Sequence, residues 1–300
     1  MNAGVRTAIA NDAMIKYPEA FQMVEREAAR CAKELDIPPC PAILARFDEE
    51  FHTAQPDLRR LAALIGTDIG LSATLIKTVN SPFYGLAKKA TSIEQALWIL
   101  GLRASANLVG GLLLRSAFPA RTNSTMTLFW EHSMRIAGLA AAIAARLKDM
   151  DRSEAHTYVL FRDCGMLVML RKFPQYADIM EQSTKTPGAQ LTRLEDTRFQ
   201  FNHARVACAL ARSWFLSEPL CAAILYHHDF ALVEKNAPAA QLPNPKLVAF
   251  GLLAEQIAAL HVNQGLCPDW IDAERFVLAT LGIGADDIVE LTEELLGVAA

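Results

Sequence analysis

The chain has 300 residues, 52% hydrophobic and 21% charged, with a formal net charge of −4. That balance supports a sizeable core, excludes a chain dominated by disorder, and lacks the overall basic footprint of a nucleic-acid binder. The six cysteines contain no C-x-x-C pair and no disulfide-scaffold density. The N-terminus has no apolar h-region, and the longest apolar stretches, such as "IAGLAAAIAARL" (136–147), read as too short for a bilayer. The expectation is a cytoplasmic protein with no membrane and no nucleic-acid partner.

Nearly every segment reads at helical period, and clean strand-like alternation is hard to find. Residues 18–35 place Phe21, Val24, Ala28, Cys31, Ala32 and Leu35 on one stripe, ended by the prolines of "DIPPCP" (36–41). Asp57 and Asp68 each precede an apolar helical run as N-caps. The second run stops at "NSPFYG" (80–85), and Thr91-Ser92-Ile93-Glu94 reads as a capping box for the next helix. The three glycines of "GLRASANLVGGLLL" suggest close backbone approach between helices. "PARTNST" (119–125) is the candidate linker, followed by an alanine-rich helix over about 126–148. Asp151 and Glu154 cap one further helix that carries "VLFRDCGMLVML" (159–170). More helices fit 203–215, 217–228, 246–262, 270–281 and 286–297, with a proline-rich loop at 230–245. The expected fold is all-α, a multi-helical HD-domain-like bundle. It comprises an N-terminal helical extension (1–35), an N-terminal helical half (36–120) and a helical subdomain (121–300).

The segment 159–170 is apolar except for Arg162 and Asp163. Five of the seven histidines, His132, His156, His203, His227 and His228, lie within about sixty residues of it. Imidazoles and carboxylates on neighbouring helices are the ligands that Zn, Mn or Fe ions take, and such an ion polarises phosphoryl oxygens. The candidates are His132, Asp163, His203, His227, His228 and Glu255. Spacing alone assembles no tight motif, since H-E-x-x-H is absent; each histidine taken singly reads as a hydrogen-bonded core or surface residue.

"IPPCPAILARF", "LAALIGTDIGLSATLIKTVNSPFYG" and "TSIEQALWILGLRASANLV" resemble the HDOD family, a signalling-output relative of the HD phosphohydrolases. The match continues through "FWEHSMRIAGLAAAIA", "YVLFRDCGMLVML", "FNHARVACALARSWFLSEPLCAAILYHH" and "LVAFGLLAEQIA", covering about residues 36–297. The resemblance implies a helical HD-like fold that has usually lost hydrolase activity. Active HD enzymes call for His, then His-Asp, then a later Asp. Here His132 matches the first, Arg162-Asp163 stands at the His-Asp pair, and Glu255 falls near the last. His203 and His227-His228 match extra histidines of the related HD-GYP phosphodiesterases, but the Gly-Tyr-Pro signature is missing.

A guanidinium has no lone pair to give a metal and keeps its charge at every relevant pH. At about 4 Å, and at an effective dielectric of ~20, it would repel a divalent ion by several kcal/mol. Two orientations follow. Arg162 either points inward, paired with Glu255 or Glu131 because its helix neighbour Asp163 should face elsewhere, or it snorkels to solvent. The reading is a non-catalytic signal-transduction module of HDOD type that binds a signalling protein partner, with no metal cofactor expected. Two alternatives stand beside it. One is a divergent metal-dependent phosphohydrolase using a divalent transition metal at the remaining ligands. The other is a nucleotide or phosphate sensor with Arg162 as the anion partner. Trp130, Trp214 and Cys164 read as core residues, the cysteine as an inert thiol.

Overall fold

The computed structural model describes residues 26, 30, 31, 33–81, 84, 86, 88–119, 124–148, 150–229, 244–262 and 265–297. Among the described residues all regular structure is helical. Most of the 18–35 stripe and of the 230–245 loop lies outside them, but Cys31 and Leu35 are buried in the core.

The first half is built from α1 (Ala42–Phe51), α2 (Leu58–Gly66), α3 (Ile69–Val79) and α4 (Ile93–Ala117). Asp57 caps α2 by accepting from the Arg59 amide at 3.0 Å, and Asp68 caps α3 through the Leu71 amide at 2.9 Å. Each satisfies a first-turn N–H that the helix itself leaves unpaired. Asn80 then closes the "NSPFYG" loop, since its side-chain amide donates to the Ala90 carbonyl and accepts from the Ala90 amide, both at 2.8 Å. The cap of α4 sits one residue later than the capping-box reading. Ser92 accepts from the Gln95 amide, and Gln95 rather than Glu94 reaches back, to the Thr91 amide.

By length and composition alone α4 passes for a membrane-crossing helix, against the expectation that every apolar stretch is too short, but it is broken in its middle. It bends at Gly101, where φ is +77°. L-residues avoid that region, so this glycine serves a kink rather than the close helix approach expected of it. α4 packs on α1, α2, α3 and, in the second half, on α6.

The second half holds α5 (Ser124–Leu147), α6 (Arg152–Arg162), α7 (Gly165–Lys172), a 3₁₀ turn at Pro174–Tyr176, α8 (Ala177–Ser183) and α9 (Gly188–Phe199). It ends with α10 (His203–Ser213), α11 (Glu218–Leu225), α12 (Pro245–His261), α13 (Trp270–Leu281) and α14 (Ala285–Leu296). The alanines of α5 at 137, 140, 141 and 144 are buried and let α6 and α12 approach closely. α6 is the hub: α4, α5, α10, α11 and α12 all pack on it, and every residue from Ala155 to Arg162 is buried. One continuous apolar core joins the two halves, and Trp214 ties them further by donating its Nε1–H to the Pro38 carbonyl at 3.1 Å.

The segment 159–170 is not one helix. α6 ends at Arg162, Asp163 takes φ −103° and ψ 0°, and α7 restarts at Gly165. The restart requires glycine. A Cβ there would overlap the His203 carbonyl and come within 2.8 Å of the Ala207 amide, so α7 and α10 touch backbone to backbone.

A candidate metal centre held beside a buried ion pair

The break between α6 and α7 fixes both charges. Arg162 is only 3% exposed, so the snorkelling orientation is excluded. Its Nη2 bonds Glu255 of α12, and its Nε donates to Asp163 Oδ2 at 3.1 Å. The second contact corrects the expectation that Asp163 would face away. That argument holds inside a helix, and Asp163 lies just past the end of one. Glu131 is exposed. Gly251 on α12 makes room for the guanidinium: a Cβ there would stand 2.8 Å from Arg162 Nη1 and 2.9 Å from Tyr158 Cε1.

Burial opposes the charge on Arg162, but Glu255 and Asp163 outweigh it and the guanidinium stays protonated. Burial would also raise Asp163, yet Arg162 and His227 hold its carboxyl well below the usual range. Glu255, facing Asp163 as well as Arg162, is raised by burial. A phosphate ligand seeking Arg162 would have to displace these two carboxylates.

The other oxygen of Asp163 faces three histidines. His203, the first residue of α10, is fully buried, while His227 and His228 follow α11. His227 Nε2 lies 3.2 Å and His203 Nε2 3.6 Å from Asp163 Oδ1, and the Nε2 atoms of His203 and His228 are 3.0 Å apart. One ligand atom from each of these four residues falls within 4.8 Å of the others.

Each ring is held from behind. His203 Nδ1 meets Glu195 at 2.8 Å, His227 Nδ1 meets the Ile224 carbonyl at 2.6 Å, and His228 Nδ1 meets Asp269 at 2.8 Å. Glu195 is itself fully buried and accepts from the Tyr176 hydroxyl and the His203 amide. Asp269 accepts from the Gly188 amide at 2.7 Å. Burial works against a charged His203, but the Glu195 carboxylate outweighs it and holds the ring above its ordinary value. Burial, with His228 adding to it, pushes His227 down to about 4.

Of the residues anticipated from sequence, the structure gathers Asp163, His203, His227 and His228 into one cluster and places Arg162 and Glu255 beside it. His132, on α5, is exposed and stands outside the cluster, 3.4 Å from Arg135 through Nδ1. It is near enough to feel the charges of Arg162 and Asp163. Glu195, Tyr176, Asp269, Gly188 and Gly251 were not anticipated. Cys164 is buried and its thiol is raised well above the ordinary value, which fits the inert reading.

The HDOD domain family model matches residues 37–230. The chain belongs to the HDOD domain family. A curated protein of Treponema pallidum (strain Nichols), itself uncharacterized, is 27% identical over 224 residues. The match takes in 72% of the HDOD chain described here but only 41% of that relative, so the chain spans about two fifths of the relative's length. Among solved structures, an HDOD domain protein of unknown function from Geobacter sulfurreducens aligns with TM-score 0.57 and 22% identity over 91% of this chain and 99% of its own. A candidate phosphohydrolase from Shewanella amazonensis SB2B aligns with TM-score 0.63 and 22% identity, covering 89% of this chain and 93% of its own. At such identities the likeness establishes the shared HD-like helical fold of this HDOD protein and nothing finer.

Proposed function

We propose that this HDOD chain is a non-catalytic signalling module that acts through contacts with a protein partner. The observation that carries this reading is the buried pairing of Arg162 with Asp163 and Glu255. Hydrolysis by an HD centre needs metal-bound oxygen nucleophiles next to the HD-pair carboxylate. In this chain a fixed guanidinium lies against Asp163 Oδ2, and Glu255 is committed to it. The cation there supplies no lone pair, generates no hydroxide and repels an incoming ion. Such an arrangement keeps the helical architecture and its surfaces while removing the chemistry.

The test compares wild type with Arg162→His in Mn²⁺-dependent hydrolysis of bis(p-nitrophenyl) phosphate and of a nucleoside monophosphate. Wild type should show no turnover above the metal-only background. Multiple turnover by wild type that disappears in Asp163→Asn would replace this reading with that of a divergent hydrolase. Saturable thermal stabilisation by nucleotides would instead favour a nucleotide sensor.

A further inference from the structure

The charge of this chain is unevenly spread. Residues 270–297, which form α13, α14 and the turn between them, hold seven carboxylates and one cation, Arg275, although the whole chain carries only −4. The rest of the chain is therefore net positive. Ala273, Phe276 and Val277 turn one face of α13 into the core, where the helix packs on α12. The opposite face carries Ile271, Glu274, Arg275, Leu278 and Gly282, at the spacing of a single helical stripe. Ile271 is 75% exposed. Gly282 ends α13 with φ +66°, a conformation that L-residues avoid, and a Cβ there would meet nothing within 4 Å, so the turn is open. Two hollows meet at this turn. One, of about 490 Å³, is floored by Leu278, Ala279 and Ile283 and edged by Glu274 and Arg275. The other, of about 190 Å³, continues past Ile283 to Leu147 and Leu291 and is edged by Arg146, Asp287, Glu290 and Glu294.

We propose that this groove docks a basic amphipathic helix of a partner protein. The inference rests on the reading of the chain as a protein-binding module and names the chemistry of the partner. A helix lays its apolar stripe into an apolar groove, and a rim of one charge selects a helix flanked by the opposite charge. The stripe from Ile271 to Gly282 runs about 16 Å, the length of roughly eleven helical residues. The rim has negative charge to spare. Arg146 meets both Glu290 and Glu294, at 3.5 and 2.8 Å, so one carboxylate of the two stays uncompensated. Asp287 is held by the Gly284 amide at 2.6 Å and keeps its charge at the mouth of the smaller hollow. Glu274, Asp286 and Glu293 make no ion pair among the described residues. Such a rim repels phosphate backbones and anionic lipid headgroups, which leaves a cationic protein segment as the occupant it fits.

The experiment follows the fluorescence anisotropy of a labelled peptide of about 18 residues, leucine on one helical face and lysine on the other, titrated with the full chain. A scrambled peptide of the same composition, and one with glutamate in place of lysine, are titrated alongside. The expected result is saturable one-to-one binding of the basic amphipathic peptide alone, weakening as salt rises from about 50 to about 300 mM. Glu274→Lys/Glu290→Lys should weaken it on the order of tenfold, since each reversal exchanges a modest attraction for a modest repulsion. Ala279→Gln, which fills the floor without changing its charge, should weaken it several-fold. The same double reversal in the first half, Glu49→Lys/Glu94→Lys, should leave it unchanged. Glu274, Ala279 and Glu290 are exposed, and circular dichroism confirms that each variant is folded. Should a groove variant misfold, the three peptides on wild type decide alone. Equal binding of all three, binding of none, or binding indifferent to the folded groove variants would overturn the proposal. So would sedimentation showing a dimer of this chain that Ala279→Gln abolishes, because a second copy would then fill the groove. The non-catalytic reading falls only on turnover, so its failure and the failure of this proposal are read in separate assays.

Discussion

Replacing Arg162 with Met should expose how much the fold depends on its charge. The side chain is 4% exposed and its partners Glu255 and Asp163 are 23% and 21% exposed, so solvent screens the pairs poorly. Methionine roughly matches the volume but leaves two carboxylates facing each other without a cation. Removing one member of a buried ion pair costs about 3–5 kcal/mol, mostly as the penalty on the charge left behind. At roughly 2–4 °C per kcal/mol, the midpoint should fall by about 6–20 °C. The pair Arg162→Met/Glu255→Leu should recover part of that loss, because one stranded carboxylate is gone. A coupling of about 1–3 kcal/mol is expected for residues in direct contact. The assay is equilibrium urea unfolding followed by circular dichroism at pH 7, in chelator so that metal plays no part. A single-variant loss under about 1 kcal/mol, or strict additivity in the double variant, would refute the claim that this charge is structurally committed.

Three further outcomes follow from the same contacts. Gly251→Ala should cost about 1–3 kcal/mol by crowding Arg162 and Tyr158, and Gly165→Ala should cost more because its Cβ meets backbone rather than a movable side chain; an unchanged thermal midpoint in either would count against the packing described. Asn80→Ala should destabilise by about 1–3 kcal/mol, the price of a buried backbone group left unpaired, and should speed hydrogen exchange at the Ala90 amide, which Asn80 now covers. His156 is buried with its pKa pushed down to about 4 from 6.5. Its ring is neutral when folded, so the unfolded chain takes the proton first as pH falls. Wild type should therefore lose roughly 3 kcal/mol of stability relative to His156→Leu between pH 6.5 and 4; a flat difference curve would contradict this.

Local signals in the sequence located much of the fold. Asp57, Asp68 and Asp151 act as the N-caps that their positions predict, because an Asx cap depends on only three or four neighbouring residues. α1, α8 and α9 were not assigned as separate helices; α8 is seven residues long, and its neighbourhood mixes proline, glycine and charged residues that mask a helical stripe. The break at Asp163 was missed for the opposite reason. Residues 159–170 are uniformly apolar around the ion pair, and a buried helix shows no periodicity to interrupt. Only the contact of Gly165 with α10 reveals why the chain must turn there.

The candidate site was legible to a similar depth. Residue types capable of ligating a metal announce themselves, so Asp163, His203, His227 and His228 could be collected from the sequence. Their supports could not. Asp269 lies 41 residues from His228, with nothing local to link them. Glu195 precedes His203 by only eight residues, but they meet because the chain reverses between α9 and α10, with Gln200 at φ +60°. His132 has the residue type of a ligand and also matches the first HD histidine, yet on α5 its ring stands outside the cluster. The orientation of Arg162, which separates the two opposed readings of this chain, depended on space provided by Gly251, 89 positions away.

The most direct test of the account is anomalous diffraction at the manganese edge from crystals of the wild-type protein equilibrated with Mn²⁺. The account predicts Arg162 still bonded to Glu255 and Asp163, with no manganese between those carboxylates. A peak between Asp163 and Glu255, with the guanidinium swung away, would contradict it.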